Sequence, residues 1–143
     1  MTPKAPVYAK RIIEAPIERV FRAWTDPEDL KRWHAPEPAG ILEAISENRV
    51  GGKRSITLII AGQKYHLAGT YKEFVPPYKL VYNWEEPERP NNSITTVLFK
   101  QISDSQTELE VSYTNPAVGT EGMVQQGLLI IMDHLRQYVL TSD

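Results

Sequence analysis

Residues 107–114, TELEVSYT, put Leu109, Val111 and Tyr113 on one side of an extended chain and Glu108, Glu110 and Ser112 on the other. Successive side chains of a strand point to opposite faces, so this stretch has one buried and one wet face, as an antiparallel sheet does. The same period of two runs through ILEAISEN (41–48), KRSITLII (53–60), KYHLAGTYKEF (64–74), YKLVYNWE (78–85) and SITTVLFKQI (93–102). Turn signals part these segments: Gly51-Gly52, Gly62, Pro76-Pro77, PERPNN and DSQ. Six strands on short turns predict a meander.

Such a sheet needs a cover for its apolar face, and the end of the chain supplies one. A long helix is predicted from a cap near Thr120, with Val124, Leu128, Ile131 and Leu135 on one side at spacings of 4, 3 and 4. Gly127, His134 and Tyr138 border that stripe on one flank, and Met132 and Val139 on the other. So wide a stripe calls for the inner face of the sheet as its partner. Ahead of the meander, VYAKRIIE (7–14) reads as a first strand. Pro16 then suits the first position of a helix carrying Ile17, Val20, Phe21 and Trp24 on one stripe. Asp26 as cap, Pro27 and Asp29 start a second short helix over about 27–33, where Leu30 and Trp33 share a face. Pro36 and Pro38 end it. The expected class is α+β, one domain over residues 1–143.

Composition removes whole classes of function. The net charge of −2 has both signs interspersed, so nucleic acid is not an expected partner. There is no cysteine, which excludes disulfides, thiolate metal sites and cysteine nucleophiles. The longest apolar run, LLIIM (128–132), is too short to span a bilayer, and the opening MTPKAPVYAKRII lacks the apolar core of a secretory signal. A cytoplasmic protein is expected. The three histidines, His34, His66 and His134, share no metal-ligand spacing, so neither a metal nor a cofactor is expected.

The order strand, two short helices, six strands, long helix resembles the START-like (helix-grip, SRPBCC) superfamily, whose curved antiparallel sheet wraps a long C-terminal helix. Particular residues narrow the resemblance to the branch related to the activator of heat-shock-protein-90 ATPase, polyketide-cyclase-like in bacteria. They are Ile13-Glu14-Ala15-Pro16 with Val20-Phe21, Ala23-Trp24-Thr25-Asp26-Pro27-Glu28, Arg32-Trp33 and Gly51-Gly52. Gly69, the run from Pro76 to Trp84, and Gly127 to Leu135 extend it along the chain. Two positions depart from the branch: His34 stands where many relatives carry a second aromatic, and Leu128 follows Gly127 where many carry tryptophan.

The resemblance implies a gap between sheet and helix that takes a small hydrophobic or aromatic, lipid- or polyketide-like, molecule. Candidate lining residues are Tyr71, Trp84, Tyr113, Val124, Leu128 and Ile131, with Trp33 and His34 at the entrance. The alternative is that these side chains simply pack as core. A cyclase or aromatase activity is a second expectation, with His34 or His66 as proton-transfer candidates. His34 reads more readily as a surface or helix-end residue than as a general base, because no positioned partner is visible: Glu37, its nearest acidic neighbour, lies across Pro36. A chaperone protein is a third possible partner that the family implies, weakened because the chain is expected to lack the additional domain of the full-length activators.

Overall fold

The structure is a computed structural model that describes residues 7–34, 40–83, 93–114 and 121–141. Seven strands form one sheet: β1 (Val7–Ile13), β2 (Gly40–Ser46), β3 (Lys53–Ile60), β4 (Gln63–Val75), β5 (Lys79–Asn83), β6 (Ile94–Ser103) and β7 (Gln106–Tyr113). Their order is β1-β7-β6-β5-β4-β3-β2, with every neighbouring pair antiparallel. Strands β2 to β7 are thus the expected meander, and β1 is added at the far edge beside β7, from Val7 opposite Tyr113 to Ile13 opposite Thr107.

Helices α1 (Ile17–Thr25) and α2 (Pro27–Trp33) follow β1, and α3 (Glu121–Thr141) ends the chain across the concave face. Pro16 occupies the cap of α1 rather than its first helical position, in extended geometry. For α2 the cap is as anticipated: Asp26 Oδ1 accepts from the backbone N–H of Glu28 (2.8 Å) and Asp29 (3.3 Å), with Pro27 at the first position. The anticipated cap of α3 at Thr120 lies outside the described residues.

Curvature is built into the strands. The register shifts in β2 between Ile41 and Glu43, in β4 between Tyr71 and Glu73, and in β6 between Gln101 and Ser103. Such bulges bend a strand and increase its twist. At Gly69 the end of β5 presses against β4 so closely that an added Cβ would lie 1.7 Å from the carbonyl oxygen of Asn83. The Asn83 side chain also accepts from the Thr70 N–H at 2.7 Å, fixing this corner.

The inner face carries Ala9, Leu109, Val111, Val97, Phe99, Leu80 and Tyr71, all buried, against Val20, Phe21, Trp24, Leu30 and Trp33 of α1 and α2. Phe21 meets Phe74 and Phe99 edge-on, at ring separations of 5.6 and 5.2 Å. From α3 only Met132, Leu135 and Val139 are fully buried among the described side chains. These lie in the C-terminal half of the helix. There Tyr138 donates to Asp29 Oδ1 (2.5 Å), a carboxylate that also holds Arg19 at 3.2 Å. Asp133 pairs with Arg11 of β1 at 3.2 Å. The N-terminal half, from Val124 to Ile131, is half-buried or exposed throughout.

Candidate functional site

That uneven packing leaves a cavity of about 300 Å³ between the N-terminal half of α3 and the sheet. Tyr113, Thr95 and Tyr82 are register neighbours on β7, β6 and β5, so they form one row across the floor. Val111 and Leu67 widen that floor, and Val124, Gly127, Leu128 and Ile131 form the roof. Trp24 and His34 close one side from α1 and the end of α2. The walls are mainly apolar, with the hydroxyls of Tyr82, Tyr113 and Thr95 and the His34 imidazole as polar elements.

Among the residues singled out from sequence, the structure brings His34, Tyr113, Val124, Leu128 and Ile131 together around the cavity. Trp33 and Tyr71 are not part of its wall. Trp33 is 1% exposed, donates its indole N–H to the Ala23 carbonyl at 2.7 Å, and stacks at a tilt between Trp24 and His34. Facing inward from α2, it meets α1 before it meets the gap. Tyr71 is likewise 1% exposed, its hydroxyl bonded to Ser46 (2.6 Å) and Arg54 (3.0 Å). Trp84 lies outside the described residues. His66 sits on the outer face of β4, exposed and bonded through Nδ1 to Thr57 Oγ1 at 2.8 Å. It cannot act on anything in the cavity.

Sequence reasoning missed Trp24, Leu67, Tyr82, Thr95, Val111 and Gly127 in the wall, and, outside the wall, Arg54 against the Tyr82 ring. Arg54 is 1% exposed, donates to the Trp24 carbonyl (2.9 Å) and the Tyr71 hydroxyl, and lies 4.7 Å from the Tyr82 ring centre. Burial works against its charge, but the adjacent Tyr82 and Tyr71 outweigh this and hold its pKa above the ordinary guanidinium value. Burial in turn raises the Tyr82 pKa, with Arg54 and the Trp24 N–H opposing, so Tyr82 is neutral at pH 7. The Trp24 indole donates to the Tyr82 oxygen at 3.2 Å. The signal for Arg54 was present: in KRSITLII it alternates onto the same face as Ile56 and Leu58, both buried.

His34 is half-buried as a residue, with its ring enclosed. Burial first, then the electrostatic influence of Arg54 and His134, lower its pKa from 6.5 to about 3. It is therefore a neutral imidazole at physiological pH. Among the described residues no three His, Asp or Glu side chains converge to hold a metal ion.

Residues 14–140 match the family described as activator of Hsp90 ATPase homolog 1-like protein. The chain belongs to that family. None of the curated proteins matches it by sequence. Solved structures of similar fold include a Nitrosomonas europaea protein, 18% identical, with a TM-score of 0.82 over 97% of this chain and 96% of that one. A Chromobacterium violaceum protein is 27% identical, with a TM-score of 0.78 over 94% of this chain and 96% of the other. An AHSA1-like protein from Aeromonas hydrophila is 22% identical, with a TM-score of 0.79 over 92% of this chain and 91% of that chain. The likeness extends the START-like, helix-grip architecture, a curved antiparallel sheet with a long C-terminal helix, across the chain.

Proposed function

We propose that this protein binds a small hydrophobic or aromatic molecule between α3 and the sheet. One observation carries the reading: a mainly apolar cavity of about 300 Å³ whose wall holds a few polar groups, the hydroxyls of Tyr82, Thr95 and Tyr113 and the His34 imidazole. That volume is at the lower end for small-molecule sites and equals about ten water molecules at roughly 30 Å³ each. It suits a ligand of on the order of ten heavy atoms. The test is native mass spectrometry after incubation with a mixture of short-chain and aromatic lipophiles. The wild type retains one such molecule per chain. Leu128→Trp, which places an indole in the roof, abolishes retention while leaving the circular-dichroism spectrum unchanged. A wild type that retains nothing refutes the reading.

Catalysis of the cyclase or aromatase type is the second reading, and the observation favouring it is the His34 imidazole in the cavity wall. Its weakness is physical. General bases work best with a pKa near the working pH, and about 3 is far below that. Nor does a carboxylate orient the ring among the described residues. Deuterium exchange at the acidic carbon of an apolar β-diketone tests it, and a rate no faster than buffer removes it. Binding to a chaperone protein rests on the family description alone and ranks third; a pull-down with and without nucleotide that recovers no heat-shock-protein-90 would remove it.

A further inference from the structure

Among the described residues, the cavity wall contains no Asp, Glu, Lys or Arg. Its polar groups are the hydroxyls of Tyr82, Thr95 and Tyr113 and the His34 imidazole, which is neutral at physiological pH. Arg54 is not in the wall, and its charge is met by the Trp24 carbonyl, the Tyr71 hydroxyl and the Tyr82 ring face. Two of the wall hydroxyls stand apart. Thr95 and Tyr113 are only 3% and 9% exposed, yet among the described residues neither hydroxyl has a hydrogen-bond partner. Other buried hydroxyls are engaged by the protein itself. Thr25 donates to the Phe21 carbonyl at 2.9 Å, Thr107 donates to the Ala15 carbonyl at 2.8 Å, and Tyr71 is held by Ser46 and Arg54. The Tyr82 oxygen accepts from the Trp24 indole. Thr95 and Tyr113 are opposite each other in the register of β6 and β7, so the two hydroxyls serve the same stretch of floor. A buried donor left without an acceptor costs free energy, and here an acceptor can come from a molecule in the cavity.

We infer that Thr95 and Tyr113 set the specificity of the cavity, and that the ligand they select is an uncharged apolar molecule with an oxygen acceptor, such as a ketone or ester, in preference to an ionised acid. The inference rests on the ligand-binding reading above and names its chemical class. Two costs decide it. A hydrocarbon enters the apolar walls freely but leaves both donors unbonded, whereas a carbonyl oxygen brings two lone pairs and no proton to place. An anion is a stronger acceptor, but it must shed its hydration in a wall that offers no cation, and hydroxyls alone return only part of that loss.

Acetophenone, benzoate and cumene are isosteric and near the size the cavity suits, and they carry a ketone, a carboxylate and a branched alkyl group on the same ring. They are the probes. At neutral pH benzoate is fully ionised, and isothermal titration calorimetry gives the three affinities. The expected result is acetophenone binding at least about tenfold tighter than benzoate. In Thr95→Val and in Tyr113→Phe the ratio of acetophenone affinity to cumene affinity falls by about three- to tenfold, because each change keeps the shape of the side chain and deletes one donor. The wild-type comparison needs no variant to fold. Benzoate binding as tightly as acetophenone overturns the uncharged ligand and leaves the ligand-binding reading standing. An acetophenone-to-cumene ratio equal to that of the wild type in both variants overturns the role of the two hydroxyls. Acetophenone failing to bind, while the wild type retains another molecule from the lipophile mixture, overturns the inference alone. Failure of all three probes and of the mixture overturns the two readings together.

Discussion

The enclosed imidazole makes a quantitative demand on stability at acid pH. A base whose pKa falls on folding binds fewer protons in the native state than in the unfolded chain. Below its ordinary 6.5 the unfolded state gains a proton that the fold refuses, so stability is full above that value and declines as the pH drops toward about 3. Within that window the loss is about 1.4 kcal/mol per pH unit. Between about pH 6.5 and about pH 4.5 the wild type therefore loses roughly 2–3 kcal/mol through this one residue, and the residue's partial exposure favours the lower figure. His34→Phe keeps an aromatic against Trp33 and removes the titration. Urea denaturation of both proteins across this range gives the difference in stability at each pH, in which titration of the carboxylates common to both cancels. The variant should gain on the wild type steadily as acid is added. A difference that stays flat from about pH 6.5 to about pH 4.5 would refute the enclosure of the ring and the charge environment assigned to it.

Three further outcomes follow from the packing. A double-mutant cycle of Asp29→Ala and Tyr138→Phe should give a coupling of about 1–2 kcal/mol in urea denaturation, because the phenol donates to a charged acceptor in a half-buried setting. Additive single effects would show that the bond does not tie α2 to α3. Gly69→Ala should cost more than about 3 kcal/mol or prevent folding, since its methyl meets the Asn83 carbonyl, whereas Gly51→Ala, with open space around it and a positive φ of 81°, should cost about 1 kcal/mol. Equal Tm values for the two variants would contradict the close approach of β4 and β5. Burial raises the pKa of both Tyr82 and Tyr138, so their contribution is present below the ordinary 10.0 and is lost as the pH climbs through the raised values. Ultraviolet titration should show these two phenols ionising above the ordinary 10.0, and Tyr138→Phe should blunt the alkaline loss of stability.

The architecture was readable because period-two segments and one wide helical stripe each declare a face, and two large apolar faces have few ways to meet. The pairing of β1 with β7 was not readable, since alternation in VYAKRII says what kind of element forms and nothing about its neighbour. The cavity wall was legible where α3 supplies it: Val124, Leu128 and Ile131 lie on the stripe that helical spacing picks out, and the gap they face was implied by the resemblance. Trp33 shows where spacing stops. It shares a face with Leu30 as expected, but that face turns toward α1 instead of the gap. His34 takes the place at the wall because it is one residue further round the helix end. Arg54 was hidden by its chemistry. A Lys-Arg pair after two glycines reads as a wet turn, and only the alternation with Ile56 and Leu58 argues otherwise.

The two halves of α3 differ in what a substitution there disturbs. Met132, Leu135 and Val139 are interlocked with the rest of the core, so changes there reach the whole molecule. Val124, Gly127, Leu128 and Ile131 touch the cavity, and of these Leu128 and Ile131 pack against the core while only half-buried. The roof is thus made of half-buried positions on one helix, while the floor of Tyr82, Thr95 and Tyr113 is held by the sheet register. Four positions on a single helix therefore set the height and shape of the cavity over a floor that the strands keep fixed.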